Sequence, residues 1–455
     1  MSSGKVSTGP ARGMRDFLPE DVRRRAFVID VVTRVYESYG FEPLETPAVE
    51  NIETLLGKYG EEGNQLIFKI LKRGEHEASG QPDLALRYDL TVPLARVVAE
   101  HRAKLPRLFR RYQIQPVWRA DRPARGRFRE FYQCDVDALG SASPVVEAEL
   151  CAAVSEVLTA LGFQGFQIRI NHRELLRAVL DAAGVPEALH GEALIAVDKL
   201  DKIGPSGVTA ELAARGVRPE AASRLLGVFD ASGEGNDAAL LRLAAFVSAG
   251  APAGAADPAC IANLRAILRL CEGTPAQGAL RVDPSLARGL SYYTGAIMEI
   301  AVADLPGSLG GGGRYDGLVG MFSGEQVPAC GFSLGLERIL VVMGERGLFP
   351  PSLATAPADV MVSVFREEDL GYAMRVAGTL RRGGLRVLVY PDVDKMGKQI
   401  KYASGCGIPC VAILGETEVA AGTVSVKLLA SGRQDTVALA DAARTIQAFL
   451  GEVRG

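Results

Sequence analysis

Two runs decide how this chain folds: Leu108-Phe109-Arg110-Arg111-Tyr112-Gln113-Ile114-Gln115-Pro116-Val117 and, after a charged loop, Glu130-Phe131-Tyr132-Gln133-Cys134-Asp135-Val136-Asp137-Ala138-Leu139. Apolar and polar residues alternate through much of both, the pattern of half-buried antiparallel strands. An antiparallel sheet is therefore expected. Upstream, Leu84–Thr91 reads as a further strand, followed by a helix through Val97. Earlier still, Val22, Phe27, Val31, Val35 and Tyr36 recur near helical spacing, which predicts a helix over Asp21–Tyr39 that follows Pro19 and stops at Gly40. Phe41–Val49, with Pro43 and Pro47, reads as extended.

Downstream, Val145–Leu161 predicts a helix ending at Gly162, and Phe166–Ile170 a short strand. From about Asn171 to Cys271 the chain turns rich in Ala, Leu and Glu at helical spacing, the signature of an inserted helical module. Sheet-like sequence returns at Ser291–Val302. Ala329–Met343 then runs from strand-like to helical. Ser352–Pro357 reads as a linker. Beyond it, strand Val360–Val364, helix Asp369–Arg382, strand Arg386–Val389, helix Lys395–Gly405 and strand Cys410–Leu414 alternate, which predicts a small α/β domain on a parallel sheet. The fold class is thus mixed α/β, and the expected segments are 1–170, a helical insertion at 171–275, 276–350 and a C-terminal domain at 358–455.

The 455 residues suit roughly two to four domains. A hydrophobic fraction of 48% and a charged fraction of 23% are those of an ordinary globular protein. The net charge of -3 provides no global attraction to nucleic acid, so any such surface must be local. No apolar run approaches the length of about 20 residues that spans a bilayer. The opening MSSGKVSTGPARGMRDF lacks the apolar core of a secretory signal. A cytoplasmic location is expected, with the seven cysteines reduced and mostly buried.

The densest signal is Arg102–Arg129. It holds ten basic residues (Arg102, Lys104, Arg107, Arg110, Arg111, Arg119, Arg122, Arg125, Arg127 and Arg129) against the single acid Asp121. Trp118, Phe128, Phe131 and Tyr132 lie in or beside it. Such a segment is either a solvated basic loop or a site for a triphosphate, a stacked base or a nucleic-acid backbone. A second signal is Ala287-Arg288-Gly289-Leu290-Ser291-Tyr292-Tyr293. Strict alternation would put Arg288 and Tyr292 on one face and Tyr293 on the other, so all three share a pocket only if the backbone bends near Gly289. Gly310–Gly313, before Arg314-Tyr315-Asp316, is either a flexible turn or a close approach of backbone to ligand. It is no P-loop, because no Gly-Lys-Ser/Thr follows. His76, His101, His172 and His190 have no metal-ligand spacing.

Taken in order, these segments resemble the class II aminoacyl-tRNA synthetases, and specifically the histidyl-tRNA synthetases. Gly13-Met14-Arg15-Asp16-Phe17 resembles that family's opening, and Gly40-Phe41 through Thr46-Pro47 its motif 1. Leu86-Arg87-Tyr88-Asp89-Leu90-Thr91 resembles the amino-acid-binding turn, and Val117–Gln133 resembles motif 2. Ala287–Tyr293 resembles the histidine signature, Gly331–Arg338 motif 3, and the final α/β domain the anticodon-binding domain. Ser291 stands where the family usually carries an acid.

The resemblance implies an α+β catalytic domain on an antiparallel sheet and ATP-dependent attachment of L-histidine to tRNA(His). It implies that Asp89, Thr91 and Gln133 hold the substrate's α-amino group, while Asp137, Tyr292 and Tyr293 read the imidazole. Arg119 would bind the α-phosphate, with Arg127 near the γ-phosphate. Phe131 would stack on adenine and Arg338 would close the nucleotide's other side. Arg288 and Arg119 would serve the chemistry. ATP as substrate, Mg²⁺ and a homodimer are also implied, with Glu299 a candidate metal ligand. The rival reading is a non-catalytic paralogue that binds histidine as a regulatory subunit of histidine biosynthesis. Such a subunit typically lacks the C-terminal domain. The segment Asp394-Lys395-Met396-Gly397-Lys398 has a class I flavour, but no His-x-Gly-His accompanies it.

Overall fold

The computed structural model describes residues 8–72, 79–229, 234–249, 258–287, 292–353 and 356–454. The chain divides into two compact units, Met1–Phe349 and Pro350–Gly455.

The first unit is built on an eight-stranded sheet. Its spatial order is Glu42–Pro43, Phe109–Trp118, Glu130–Leu139, Ala329–Gly335, Ser308–Arg314, Ala296–Ala301, Gln167–His172 and Leu280–Val282. The six inner strands are antiparallel, and each outer strand joins in parallel. The central hairpin pairs Phe109 with Leu139 and Trp118 with Glu130. The strand Glu130–Leu139 differs from the half-buried reading: it is covered on both faces. Cys134, Val136 and Ala138 enter the apolar core. Gln133, Asp135 and Asp137, on the alternate face, are buried as well, among polar partners. Charge on the second face disguised a strand buried on both faces from Gln133 to Leu139 as an amphipathic one.

Helix Pro19–Ser38 starts where proline at its first position and a backbone bond from Leu18 N–H to Asp21 Oδ2 (3.3 Å) favour it. It packs with helices Val145–Ala160 and Leu336–Arg346 against the apolar face of the sheet. The chain from 173 to 270 forms helices including Arg173–Ala183, Pro219–Phe229 and Ala259–Leu270, whose apolar faces continue the same core. His172 caps the first of them: its Nδ1 accepts from Glu174 N–H at 3.2 Å, and burial holds its pKa below the ordinary value. Gly184, at φ 85°, ends that helix.

Gly310–Gly313 is no turn. It lies inside the strand Ser308–Arg314, between two neighbours. A Cβ on Gly310 would meet Ser333 O at 2.4 Å, and one on Gly312 would meet Gly331 O at 2.2 Å. Glycine is what lets this strand lie so close to its neighbour. At its end Arg314 forms a bidentate pair with buried Glu147 (2.6 and 2.8 Å), tying the strand to helix Val145–Ala160.

A smaller antiparallel sheet, ordered Val49–Asn51, Pro82–Leu86, Lys69–Leu71, lies in the same unit. Buried Arg87 follows it and donates to Thr46 O (2.6 Å), Pro116 O (2.8 Å) and Gln115 Oε1 (2.9 Å), fixing the extended segment beside the central hairpin.

The second unit has a five-stranded sheet ordered Val387–Val389, Val360–Val362, Cys410–Ile413, Thr423–Leu428, Gln434–Ala438. The first three strands are parallel, as expected; the last two are antiparallel and extend the expected parallel core. Helices Leu370–Arg382 and Leu439–Arg454 cover one face with an apolar core of this unit's own. Among the described residues no helix is long and apolar enough to cross a membrane. All seven cysteines are free thiols, six of them buried.

Candidate active site

The polar face of the large sheet opens into a cavity of about 440 Å³. Its floor is the backbone of Gly310, Gly311 and Gly312. Asp89, Thr91, Gln133, Tyr292 and Tyr293 stand among its lining, as do Arg119, Arg127, Phe131, Arg338 and Glu299. One expected residue among those described, Asp137, is not part of that lining. Arg288 lies outside the described residues, as does Ser291. Asp137 is buried at 2% exposure, its Oδ2 ion-paired with Arg111 Nη2 at 2.9 Å and its Oδ1 accepting from the Tyr315 hydroxyl.

Asp89 sits at the start of helix Thr91–Glu100. Its Oδ1 accepts from Val92 N–H (3.1 Å) and Tyr59 Oη (3.0 Å), and its Oδ2 from Tyr292 Oη (3.1 Å). Burial raises its pKa above the ordinary carboxylate value, and these donors together with Arg119 oppose the rise. Thr91 stands beside it in the same lining. Gln133 donates through Nε2 to Ser333 Oγ at 2.7 Å, while its buried Oε1 has no protein partner. Gln133 is nevertheless part of the cavity lining. Tyr292 and Tyr293 meet edge to face at 5.1 Å. Both line the cavity because residues 292–295 are turn rather than strand, so strict alternation does not apply to them.

Arg119 Nε donates to Tyr88 O at 3.0 Å. Its guanidinium lies 4.3 Å from the Tyr88 ring and 5.1 Å from the Phe131 ring. Arg127 is more exposed and lies 3.8 Å from Asp121. Arg338 donates to Ser308 O across the cavity mouth. Its neighbour Glu337 is buried and accepts from Arg25 Nη1 (2.7 Å) and Tyr132 N–H (2.9 Å), binding the helix start to the end of the central hairpin. Glu299 is buried on strand Ala296–Ala301, 3.8 Å from Arg169.

The ten basic residues of Arg102–Arg129 thus divide by fate. Arg119 and Arg127 reach the cavity. Arg111 is fully buried against Asp137 and Asp135. Arg110 pairs with Glu149, and Arg125 with Glu345. Of the histidines, His190 lies 3.1 Å from Val185 O, while His76 lies outside the described residues. Sequence reading passed over Tyr59, Arg111 as a carboxylate partner, Tyr315 and Ser333. Tyr59 lies outside every quoted motif, and although Arg111, Tyr315 and Ser333 fall in quoted segments, only the fold brings them to the carboxylates and amide.

The model of the histidyl-tRNA synthetase family matches residues 13–339, most of the chain. The chain belongs to the histidyl-tRNA synthetase family. An anticodon-binding-domain model matches 359–449, within the second unit. A histidine–tRNA ligase of Gloeobacter violaceus is 42% identical over 464 residues, covering 96% of this chain and 98% of that one. One from Christiangramia forsetii is 40% identical over 445 residues, covering 94% and 96%. The crystal structure of the histidyl-tRNA synthetase from a Nostoc species superposes with a TM-score of 0.77 at 33% identity, covering 98% of this chain and 100% of the other.

Proposed function

We infer that this chain uses ATP to attach L-histidine to tRNA(His) through a histidyl-adenylate, releasing pyrophosphate and then AMP. One observation carries the reading: a single cavity is lined both by carboxylate, amide and phenol groups suited to an amino acid and by arginines and an aromatic ring suited to a nucleotide. Family membership and the anticodon-binding match over 359–449 favour it over the regulatory paralogue.

Adenylate formation needs no general base. Histidine's carboxylate is an anion near neutral pH. Its oxygen attacks the α-phosphorus, the bond to the β-phosphate breaks, and pyrophosphate leaves. The terminal ribose hydroxyl of the tRNA then attacks the adenylate's carbonyl, the bond to the phosphate oxygen breaks, and the ester forms as AMP leaves with the hydroxyl's proton passing to its phosphate. Both steps need positioning and positive charge on phosphoryl oxygens. Asp89, Thr91 and Gln133 would hold the α-ammonium. Asp137, Tyr292 and Tyr293 would read the imidazole. Arg119, already stacked on Phe131, would take the α-phosphate, with adenine on Phe131 and Arg338 opposite. Arg127 would meet the γ-phosphate, and Arg288 the reacting carboxylate.

Mg²⁺ is usually held by one or two carboxylates plus substrate phosphates rather than by a protein cage. Glu299, a carboxylate on the cavity wall, fits that donor set. Bound there, the ion would add positive charge beside the phosphates. A homodimer, a cytoplasmic location and the segments 1–170, 171–275, 276–350 and 358–455 complete the proposal.

A pyrophosphate-exchange assay across the twenty amino acids tests it. Exchange with histidine alone is expected, and exchange with a different amino acid in preference would overturn it. Arg288→Ala should slow adenylate formation by about two to three orders of magnitude with ATP binding kept. Near wild-type exchange would remove Arg288 from the chemistry.

A further inference from the structure

We propose that Tyr59 is a positioning residue for histidine binding: its hydroxyl fixes the Asp89 carboxylate that receives the substrate's α-ammonium. The inference rests on the proposed role of Asp89. Tyr59 comes from the turn between the short helices Ile52–Leu55 and Gly60–Gln65, outside every motif that marks the family. It is nevertheless buried at 5% exposure, with its oxygen 3.0 Å from Asp89 Oδ1. Its ring lies 4.5 Å from that of Tyr88, whose other neighbour is the Arg119 guanidinium. One side chain therefore touches the amino-acid carboxylate and buttresses the phosphate-side arginine.

The two contacts are separable. The ring holds the stack; the hydroxyl holds the carboxylate. With Val92 N–H on the same oxygen and Tyr292 on the other, Asp89 cannot rotate without breaking a bond. Tyr59 also acts on charge. A hydrogen bond donated to a carboxylate favours its ionised form. Around Asp89, burial and the carboxylates of Asp135 and Asp137 work against ionisation. Arg119 works for it directly, and Arg111 serves the two deeper carboxylates. The phenols of Tyr292 and Tyr293 stand in the same surroundings, and burial raises both above the ordinary tyrosine value. Tyr59→Phe removes one donor, so Asp89 takes up its proton at higher pH and loses its grip on the α-ammonium there.

The test compares full-length wild type with Tyr59→Phe in pyrophosphate exchange from pH 5 to 8. The variant keeps the ring and the stack on Tyr88. We expect KM for histidine to rise about tenfold with KM for ATP unchanged. The acidic limb of kcat/KM for histidine should move up by about one pH unit. The imidazole of free histidine titrates in the same range for both enzymes, so the difference between the curves is the readout. Unchanged histidine KM and an unmoved limb would overturn the proposal. So would equal rises in both KM values, which mark a merely structural role. Asp89→Asn separates the two layers: if it leaves histidine KM unaltered, the Asp89 reading itself fails and Tyr59 falls with it. If Asp89→Asn raises KM and Tyr59→Phe does not, only the role of Tyr59 fails.

Discussion

Residue by residue, the buried polar face shows how little free space specificity needs. Gly331 lies opposite Asp137 in the sheet, and a Cβ there would fall 1.8 Å from Asp137 Oδ1 and 3.3 Å from the Tyr315 ring. The carboxylate occupies the room that a side chain would fill. Gly331→Ala must displace it, and a misplacement near 1 Å can cost about a hundredfold in rate. Histidine-dependent exchange should fall by about that factor in a variant whose far-UV spectrum is unchanged. A loss below threefold would mean Asp137 is not used. Asp135 supplies a pH prediction. Burial raises its pKa above the ordinary carboxylate value, with Arg111 opposing. The folded state therefore binds a proton that the unfolded chain has already released. Stability contributed by that proton is present at the ordinary carboxylate pKa and is lost as pH climbs through the raised one. Urea midpoints between pH 5 and 8 should fall less steeply for Asp135→Asn than for wild type. A steeper fall would reverse the sign. Asp89, Arg119 and Gln133, which all line the cavity, were singled out by the family resemblance of the motifs that hold them. Tyr59, Tyr315 and Ser333 were not, because a hydrogen bond between residues some thirty, or nearly two hundred, positions apart leaves no local pattern.

Elements were legible where propensity and environment agree. Strand Glu130–Leu139 ends where alternation predicts, and helix Pro19–Ser38 differs from its predicted span by a residue or two. The glycine strand Ser308–Arg314 was illegible for the opposite reason. Glycine disfavours strands, since it forfeits packing and backbone entropy. Here close pairing on both sides overrides that preference. Gly312→Ala would press a Cβ to 2.2 Å from Gly331 O, and backbone cannot rotate away as a side chain can. The expected cost is about 1–3 kcal/mol or more, with adenylation lost as the cavity floor shifts. A thermal melt within a degree of wild type would contradict this. Arg314→Met acts on the same strand from its end. Leaving Glu147 buried without its partner should cost about 3–5 kcal/mol, readable as a lower urea midpoint.

For the whole molecule, division of labour follows from where the cores lie. The first unit, ending at Phe349, contains the entire cavity and closes its own apolar core; the second has its own core around Val360, Val376, Cys410 and Phe449. A chain stopped after Phe349 should therefore fold and retain histidine-dependent pyrophosphate exchange near the wild-type rate. Charging of tRNA is another matter. A tRNA held at two sites gains effective concentration at the second once the first is engaged, an advantage of about two to four orders of magnitude. Removing the unit that carries the anticodon-binding match withdraws one of those sites. kcat/KM for tRNA should drop by at least about a hundredfold, chiefly through KM, while KM for histidine and for ATP stays put. Equal losses in exchange and charging would show that the first unit depends on the second for its active form. Undiminished charging would show that the acceptor end alone carries recognition.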